Sequence, residues 1–575
     1  MNAADAIVAM LKAYQVRYIF GIPGDTSITL YESLRTAGDS ITHVLARDER
    51  GAAFMADVYA RLSGKPGFCE APSGAGATYL VPGLAEANFS SIPVIGFTTD
   101  IPLEAEGRNV LTELDQGMVF KAVTKWNTTL RRANKVPEVM RKAFREATTG
   151  RAGAVQITLP EDVLHEAYTG SDSALFAQEE CSRYPAFRTL PDPAALEEAA
   201  RMLLRARQPV LVAGGGAAIS GAWAEVTELA ELLLIPVGTS INGQGSIDEA
   251  HPLSIGVVGG NGARPYANEI LMQADLVLYV GCKTDSVTTQ NWTMPPNNGS
   301  VTILHIDVDP LEIGNTYPTA VGMVGDARLA LAALIGMLKT RLRADGDEHE
   351  REYWADFAGL RQRWFSTQEQ AARSDSRPIK PQRIFSIMSR LLPRESVIVA
   401  DPGTATPFTS AMVLSPAGRH IIIPRAFGGL GYAIPGVVGA KLARPNAPVI
   451  GLVGDGSFGM AAGDLETIAR LGLPVVLVQF SNAEFGWIKT LQHLYQEDRY
   501  FSVDFSTDTD YAGIARGFGM QGVHVENPGD FEAVFQAALK SDRPTFINVV
   551  SESEMTETPP VHKWLQTIAA RGMRS

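Results

Sequence analysis

Short, β-branched apolar runs alternate with segments of helical period from one end of the chain to the other. In the first third, Val16–Phe20, Ile41–Val44, Gly67–Glu70, Pro93–Thr98 and Ala154–Leu159 predict strands, while Ala4–Tyr14 and Gly51–Leu62 predict helices. A looser stretch, about Glu166–Pro191, ends this block. The pattern restarts with strands at Pro209–Ala213, Ala274–Val280 and Val301–Ile306. A polar segment of about Arg341–Pro381, containing the acidic run Asp345–Glu350, reads as a helical linker rather than core. The last block predicts strands at Ser396–Ala400, Ala447–Val453, Leu473–Phe480 and Pro544–Val550, with a helix over Met460–Leu471. Strands alternating with helices imply βαβ units. The expected fold is therefore α/β, with three domains of mainly parallel sheet flanked by helices. The boundaries fall near 1–170, 190–340 and 375–555, followed by a tail, 556–575. No short-period repeat and no low-complexity tract interrupts this order.

Composition narrows the class without naming a chemistry. A chain of 575 residues is too long for one core, and 45% hydrophobic with 20% charged residues is ordinary for a soluble globular protein. The net charge of −13 argues against nucleic acid or an acidic membrane surface as partner. Three widely spaced cysteines, Cys69, Cys181 and Cys282, form neither a disulfide framework nor a zinc pattern. No apolar run approaches the roughly 18 residues of a membrane span. The first residues lack the charged start and apolar core of a signal peptide. A cytoplasmic location is expected.

Parallel sheets bind ligands at the carboxyl ends of their strands, so motifs there carry most weight. Gly-Leu-Val-Gly-Asp-Gly-Ser-Phe-Gly, residues 451–459, places Asp455 where a buried strand ends. One helix and one strand later comes Ser-Asn-Ala-Glu-Phe-Gly, residues 481–486. If the two strands are neighbours, Asp455 and Asn482 lie about 5–10 Å apart. A carboxylate, an amide oxygen and a backbone carbonyl such as that of Glu484 suit a hard cation like Mg²⁺. The remaining ligands would be anionic oxygens from a phosphate-bearing cofactor, with the amides of Gly456 and Ser457 placed to meet them. The competing reading makes Gly-Asp-Gly a strand-to-helix turn with Asp455 as an N-cap. The Asn one βα unit later favours the cation.

Gly454-Asp455-Gly456, separated in this way from Asn482, resembles the signature of thiamine-diphosphate enzymes of the acetohydroxyacid synthase and pyruvate decarboxylase superfamily. That family has Asn-Asn where this chain has Ser481-Asn482; the second Asn is its metal ligand, and this chain retains it as Asn482. Residues 46–67 resemble its segment with the catalytic glutamate, which maps to Glu49. A carboxylate bonded to N1′ of the aminopyrimidine stabilises the tautomer that can act as internal base. A salt bridge from Glu49 to Arg47 or Arg50 is the structural alternative. Residues 424–443 resemble the pyrimidine-holding loop, with the Gly428 carbonyl as acceptor and Leu430 as the apolar wedge. Residues 400–408 resemble the first diphosphate loop, with Gly403, Thr404 and Ala405 nearest the phosphates. The resemblance implies thiamine diphosphate and Mg²⁺ as cofactors, and a central domain that is Rossmann-like. It also implies a homodimer or homotetramer whose active sites are shared between subunits.

The reaction is less determined. Asp25 stands where decarboxylases carry an active-site aspartate, which favours proton delivery. Their His-His pair is missing from residues 107–116, and Ile488 replaces a Glu. Synthases have Phe-Gln where this chain has Leu111-Thr112, and a selecting Trp where it has Leu491. Cys-Lys-Thr-Asp at 282–285 departs from the Arg-Phe-Asp-Asp of FAD-binding relatives, so FAD is the less favoured occupant of the central domain. Leu111, Thr112, Trp487, Ile488 and Leu491 sketch an apolar pocket wall with one hydroxyl, although Trp487 could equally pack beneath a C-terminal helix. The substrate expected is an apolar or aromatic 2-oxo acid or an acyloin, decarboxylated, carboligated or both. Acetolactate synthase proper, a 2-hydroxyacyl-CoA lyase and a flavin-dependent oxidase are the alternatives. The tail 556–575 is expected to close over the site as a lid, bringing His562 toward the substrate unless that side chain is solvated.

Overall fold

The computed structural model describes residues 1–344 and 354–571. Three six-stranded sheets, all of whose paired strands run parallel, organise them. The first contains β1 (Tyr18–Gly21), β2 (Thr42–Leu45), β3 (Gly67–Ala71), β4 (Val94–Asp100), β5 (Trp126–Thr129) and β6 (Val155–Pro160). The second contains β7 (Pro209–Ala213), β8 (Val237–Thr239), β9 (Ser254–Val257), β10 (Leu276–Val280), β11 (Thr302–Asp307) and β12 (Val321–Val324). The third contains β13 (Val397–Ala400), β14 (Ile421–Ile422), β15 (Val449–Gly454), β16 (Val476–Ser481), β17 (Gln521–Val525) and β18 (Thr545–Val550). The three-domain α/β architecture expected from the alternating pattern is the one observed.

The first and third sheets share one strand order, β2-β1-β3-β4-β6-β5 and β14-β13-β15-β16-β18-β17. The middle sheet runs β12-β11-β10-β7-β8-β9, the doubly wound order of nucleotide-binding domains. Central strands such as β10 and β7 are buried throughout and read as continuous apolar runs, because helices cover both faces.

Two expectations need correction. The helix anticipated over Met460–Leu471 is two helices, Asp455–Ala461 and Asp464–Arg470, interrupted at Ala462–Gly463. The break lets the buried Asp464 side chain accept from the Arg47 amide of the first domain (2.9 Å), a contact an unbroken helix would not present. The linker is also more than linker. Its acidic run 345–350 lies outside the described residues, but the helix Phe357–Ala372 buries Phe357 against the central core. Arg361 on that helix donates to the carbonyls of Glu249 and His251 at 2.9 and 2.8 Å.

The first and third domains meet through two helices, Glu49–Ser63 and Ala433–Ala443. Their approach is set by Gly439, where a Cβ would lie 2.1 Å from the Met55 carbonyl oxygen. Phe54 meets Tyr432 edge-on at 5.0 Å, and the Tyr432 hydroxyl donates to the buried Asp57 carboxylate. Gly439→Ala should therefore force the helices apart, at about 1–3 kcal/mol. The expected outcome is an apparent melting midpoint several degrees lower by calorimetry, with Gly336→Ala, where a Cβ meets nothing, as an unaffected control.

Candidate active site

The sheets bring the quoted motifs to their carboxyl ends. Asp455 directly follows β15, and β16 is its hydrogen-bonded neighbour, so Asp455 and residues 481–483 touch. Asp455 is 5% exposed and saturated with donors. Its Oδ1 accepts from Gln479 Nε2 (2.8 Å) and Ser481 Oγ (2.9 Å). Its Oδ2 accepts from the amides of Asn482 (2.8 Å) and Ala483 (2.7 Å). Burial pushes the Asp455 carboxyl up and these donors pull it back down. Ala483 sits in the left-handed region at φ +57°, which is strained for a residue with a Cβ and holds the loop in a tight reversal.

Buried oxygens without donors surround this point. Gln479 Oε1 and both carboxylate oxygens of Glu554 have no hydrogen-bond partner, and burial pushes the Glu554 carboxyl up to about 8. The Asn482 side chain has no hydrogen-bond partner among the described residues. The Asp455 carboxylate, the unpartnered Asn482 amide oxygen and the Glu484 carbonyl are hard oxygen donors on one loop and the strand end beside it, so the residues present fit a hard cation. Among the described residues, no cluster of three or more His, Cys, Asp or Glu side chains could hold a metal unaided. The Glu484 side chain is turned away from this role. It accepts from Ser553 Oγ and pairs with Lys489 at 2.8 Å, leaving only its backbone carbonyl for a ligand.

Gly403, Thr404 and Ala405 open the helix Ala405–Met412 after β13. Asp401, absent from the sequence reading, anchors that turn. It is fully buried, its Oδ1 accepts from the Tyr432 amide (2.7 Å), and burial raises it to about 7. Tyr432 follows the loop that carries Gly428 and Leu430. Glu86, also missed, holds the same loop by accepting from four successive amides, Arg425 to Gly428, at 2.8–3.3 Å. A glutamate inside an apolar helix was its one sequence signal.

Glu49 opens the helix Glu49–Ser63, and burial raises its carboxyl. The salt-bridge alternative does not hold. Arg50 pairs with Asp48 at 2.6 Å and Arg47 with Glu466 at 3.6 Å. Glu49 Oε1 lies instead over the turn 72–76, where a Cβ on Gly76 would stand 2.9 Å away. Asp25 starts an exposed turn after β1. Beside it, the hydroxyls of Thr99, Thr26, Ser73 and Thr112 form a chain with links of 2.7, 3.2 and 2.7 Å.

The other pocket positions divide. Leu111 is 85% and Ile488 47% exposed in the single chain. Trp487 and Leu491 pack against the C-terminal helix His562–Arg571, with Trp487 and Trp564 rings 4.4 Å apart. The packing alternative thus describes Trp487. His562 is part of that docking: its amide donates to the Gly260 carbonyl and its ring lies 3.4 Å from Asn268 of the central domain. The last four residues of the anticipated lid lie outside the described residues.

Profiles of thiamine pyrophosphate enzymes match all three domains: the N-terminal TPP binding domain over residues 1–119, the central domain over 196–334 and the C-terminal TPP binding domain over 401–549. The chain belongs to the thiamine pyrophosphate enzyme family. It is similar to a probable acetolactate synthase large subunit of Methanococcus aeolicus, with 32% identity over 99% of this chain and 96% of the relative. An acetolactate synthase of Mycobacterium leprae is 30% identical over 100% and 91%. The acetolactate synthase isozyme 3 large subunit of Escherichia coli is 29% identical over 96% and 94%. The chain is thus an acetolactate-synthase-like, thiamine-diphosphate-dependent enzyme. No helix among the described residues is long and apolar enough to cross a membrane.

In this family member, a further cleft opens at the carboxyl end of the central sheet, lined by Gly215, Gly216, Ser240, Lys283, Asp307 and Glu312. Burial lowers Lys283 to about 8, and its ammonium donates to the Phe89 carbonyl of the first domain.

Asp401 makes a pH signature. Its folded pKa of about 7 stands above the ordinary value of 3.8, so between these limits the folded protein holds a proton that the unfolded chain releases. This group's contribution to stability falls as pH rises through that window and is level above it. Asp401→Asn, which keeps the acceptor for the Tyr432 amide, should shrink the drop in melting midpoint of the cofactor-free protein between pH 5 and 7.5. An unchanged drop would assign the pH dependence elsewhere.

Proposed function

We propose that this enzyme uses thiamine diphosphate and Mg²⁺ to break or make the carbon–carbon bond next to a carbonyl. It decarboxylates a 2-oxo acid and releases the product or joins its acyl unit to a second carbonyl compound. The observation that carries this reading is the buried Asp455 carboxylate fixed beside Asn482 at the end of β15, in a chain whose Glu49 pairs with neither neighbouring arginine. Similarity to acetolactate synthases along nearly the whole chain favours the joining outcome.

Thiamine diphosphate, when bound, supplies a carbon nucleophile and an electron sink for the bond being cleaved. The chain's own residues bind and orient it and manage protons. Asp455, Asn482 and the Glu484 carbonyl would hold Mg²⁺; a cation there competes with Gln479 and Ser481 for Asp455 Oδ1. The turns at Gly403, Thr404 and Ala405 and at Gly454, Gly456 and Ser457 would meet the diphosphate. The Gly428 carbonyl and Leu430 would hold the pyrimidine, on the loop that Glu86 and Asp401 fix. Glu49, whose carboxyl burial raises above its ordinary value, would hold or release a proton at that carboxyl. Asp25 and the hydroxyl chain ending at Thr112 stand in for the absent histidine pair as proton carriers.

A homodimer or homotetramer with shared sites is supported by apolar side chains left open on a single chain, Leu111, Phe427 and Phe501 among them. Trp487 and Leu491 are committed to the C-terminal helix, so Leu111, Thr112 and Ile488 remain as the proposed substrate wall. Their character favours an apolar or aromatic 2-oxo acid or an acyloin.

Incubation with thiamine diphosphate, Mg²⁺ and a panel of 2-oxo acids, with and without aldehydes, should release carbon dioxide and yield an acyloin or acetohydroxy acid. Glu49→Gln should lower turnover by at least about 100-fold while cofactor binding persists. If the wild type consumes no 2-oxo acid or acyloin, the chain is a cofactor-binding relative without catalysis. Flavin is not favoured, because two cations crowd the central cleft: Arg151 pairs with Asp309 and Glu312, and Lys283 donates to the Phe89 carbonyl. The purified protein should be colourless; a stoichiometric flavin absorbance would overturn this.

A further inference from the structure

The loop that carries Asn482 is gripped from behind by the segment following β18. Ser553 Oγ on that segment donates to Glu484 Oε1. The next residue, Glu554, is 1% exposed, and neither of its carboxylate oxygens has a hydrogen-bond partner. No other carboxyl side chain among the described residues has both oxygens buried and unpartnered. Lys489, on the helix Gly486–Tyr495 that follows this loop, is committed to Glu484 at 2.8 Å and Asp504 at 2.6 Å.

Glycine at position 486 shows where the orphaned group points. A Cβ on Gly486 would lie 3.1 Å from both the carboxyl carbon and Oε1 of Glu554, and 3.4 Å from Asn482 Nδ2. The Glu554 carboxyl and the Asn482 amide therefore converge on the open side of Gly486. Asn482 likewise lacks a side-chain partner among the described residues. Two complementary groups, the buried Glu554 acceptor and the half-buried Asn482 N–H donor, face one small space without a protein partner among the described residues. Leaving a buried polar group unpaired is expensive, which makes their mutual satisfaction the low-energy state once the loop is loaded.

We propose that Glu554 is a positioning residue for the cation site: it accepts the Asn482 Nδ2–H and so turns Asn482 Oδ1 toward the metal. Partners behind metal ligands act in this way, and their removal weakens metal binding by roughly 10–100-fold. The inference rests on the Mg²⁺ site proposed above and adds a residue from a different part of the chain. It also explains why position 486 carries no side chain.

The test is calorimetric titration of Mg²⁺ into full-length protein in the presence of thiamine diphosphate. Glu554→Leu, which keeps the bulk and removes the acceptor, should weaken Mg²⁺ by about 10-fold or more. Glu554→Gln, which keeps an acceptor oxygen, should bind within a few-fold of wild type. Gly486→Ala, which displaces both groups, should reproduce the Leu effect and covers the case in which Glu554→Leu does not fold. In an Asn482→Ala background, Glu554→Leu should add no further loss, because its partner is gone. Wild-type affinity in both Glu554→Leu and Gly486→Ala, or full additivity with Asn482→Ala, overturns the role of Glu554. A wild-type protein that takes up no Mg²⁺ with thiamine diphosphate overturns the cofactor reading itself.

Discussion

One carboxylate ties two adjacent strand ends together. Asp455 leaves β15 and accepts four hydrogen bonds, two of them from amides in the turn that leaves β16. Without it, the turn would expose two buried N–H groups in a strained conformation, and the loop 482–486 would have no fixed path. The following helix, the aromatic contact between Phe485 and Phe505 and the docking of Ser553 all build on that path. The group that fixes the loop in this way is also the one proposed to bind a cation. The same interaction therefore sets both the rigidity of the site and the competition a metal faces there.

A second polar network fixes the relation of the first and third domains. Arg61 lies between Asp57 (2.9 Å) and Glu86 (3.3 Å), all fully or nearly fully buried. Tyr432 reaches Asp57 from the other domain, while Glu86 reaches the amides of residues 425–428. Charges this deep persist only when paired and hydrogen-bonded. Here both conditions are met by groups from the two domains. The loop bearing Gly428 and Leu430 is thereby held by a side chain of a domain more than three hundred residues away in sequence.

Much of this was legible in the residues, for identifiable reasons. Buried central strands such as Pro209–Ala213 are continuous apolar runs and were found at their boundaries. Of the six strands not anticipated, β5, β9, β12, β14 and β17 lie at sheet edges; β8, only three residues long, is interior. Edge strands are short or half-exposed, as Gln521–Val525 shows, so no apolar run announces them. Asp455 and Asn482 were legible because local spacing places them on adjacent strands. Glu86, Asp401 and Glu554 were not, because their meaning lies in partners across domains or at the far end of the chain. The repeated strand order was equally hidden, since no short-period repeat accompanies it.

That repeated order has a geometric consequence. The two units of one topology meet through the equivalent helix of each, the one between its second and third strands, Glu49–Ser63 in the first and Ala433–Ala443 in the third. Symmetry of fold did not preserve symmetry of chemistry: one half presents Glu49 at its strand ends, the other Asp455. Two surfaces that share a topology but not a chemistry can each serve one end of an asymmetric ligand, which a strictly symmetric pair could not do.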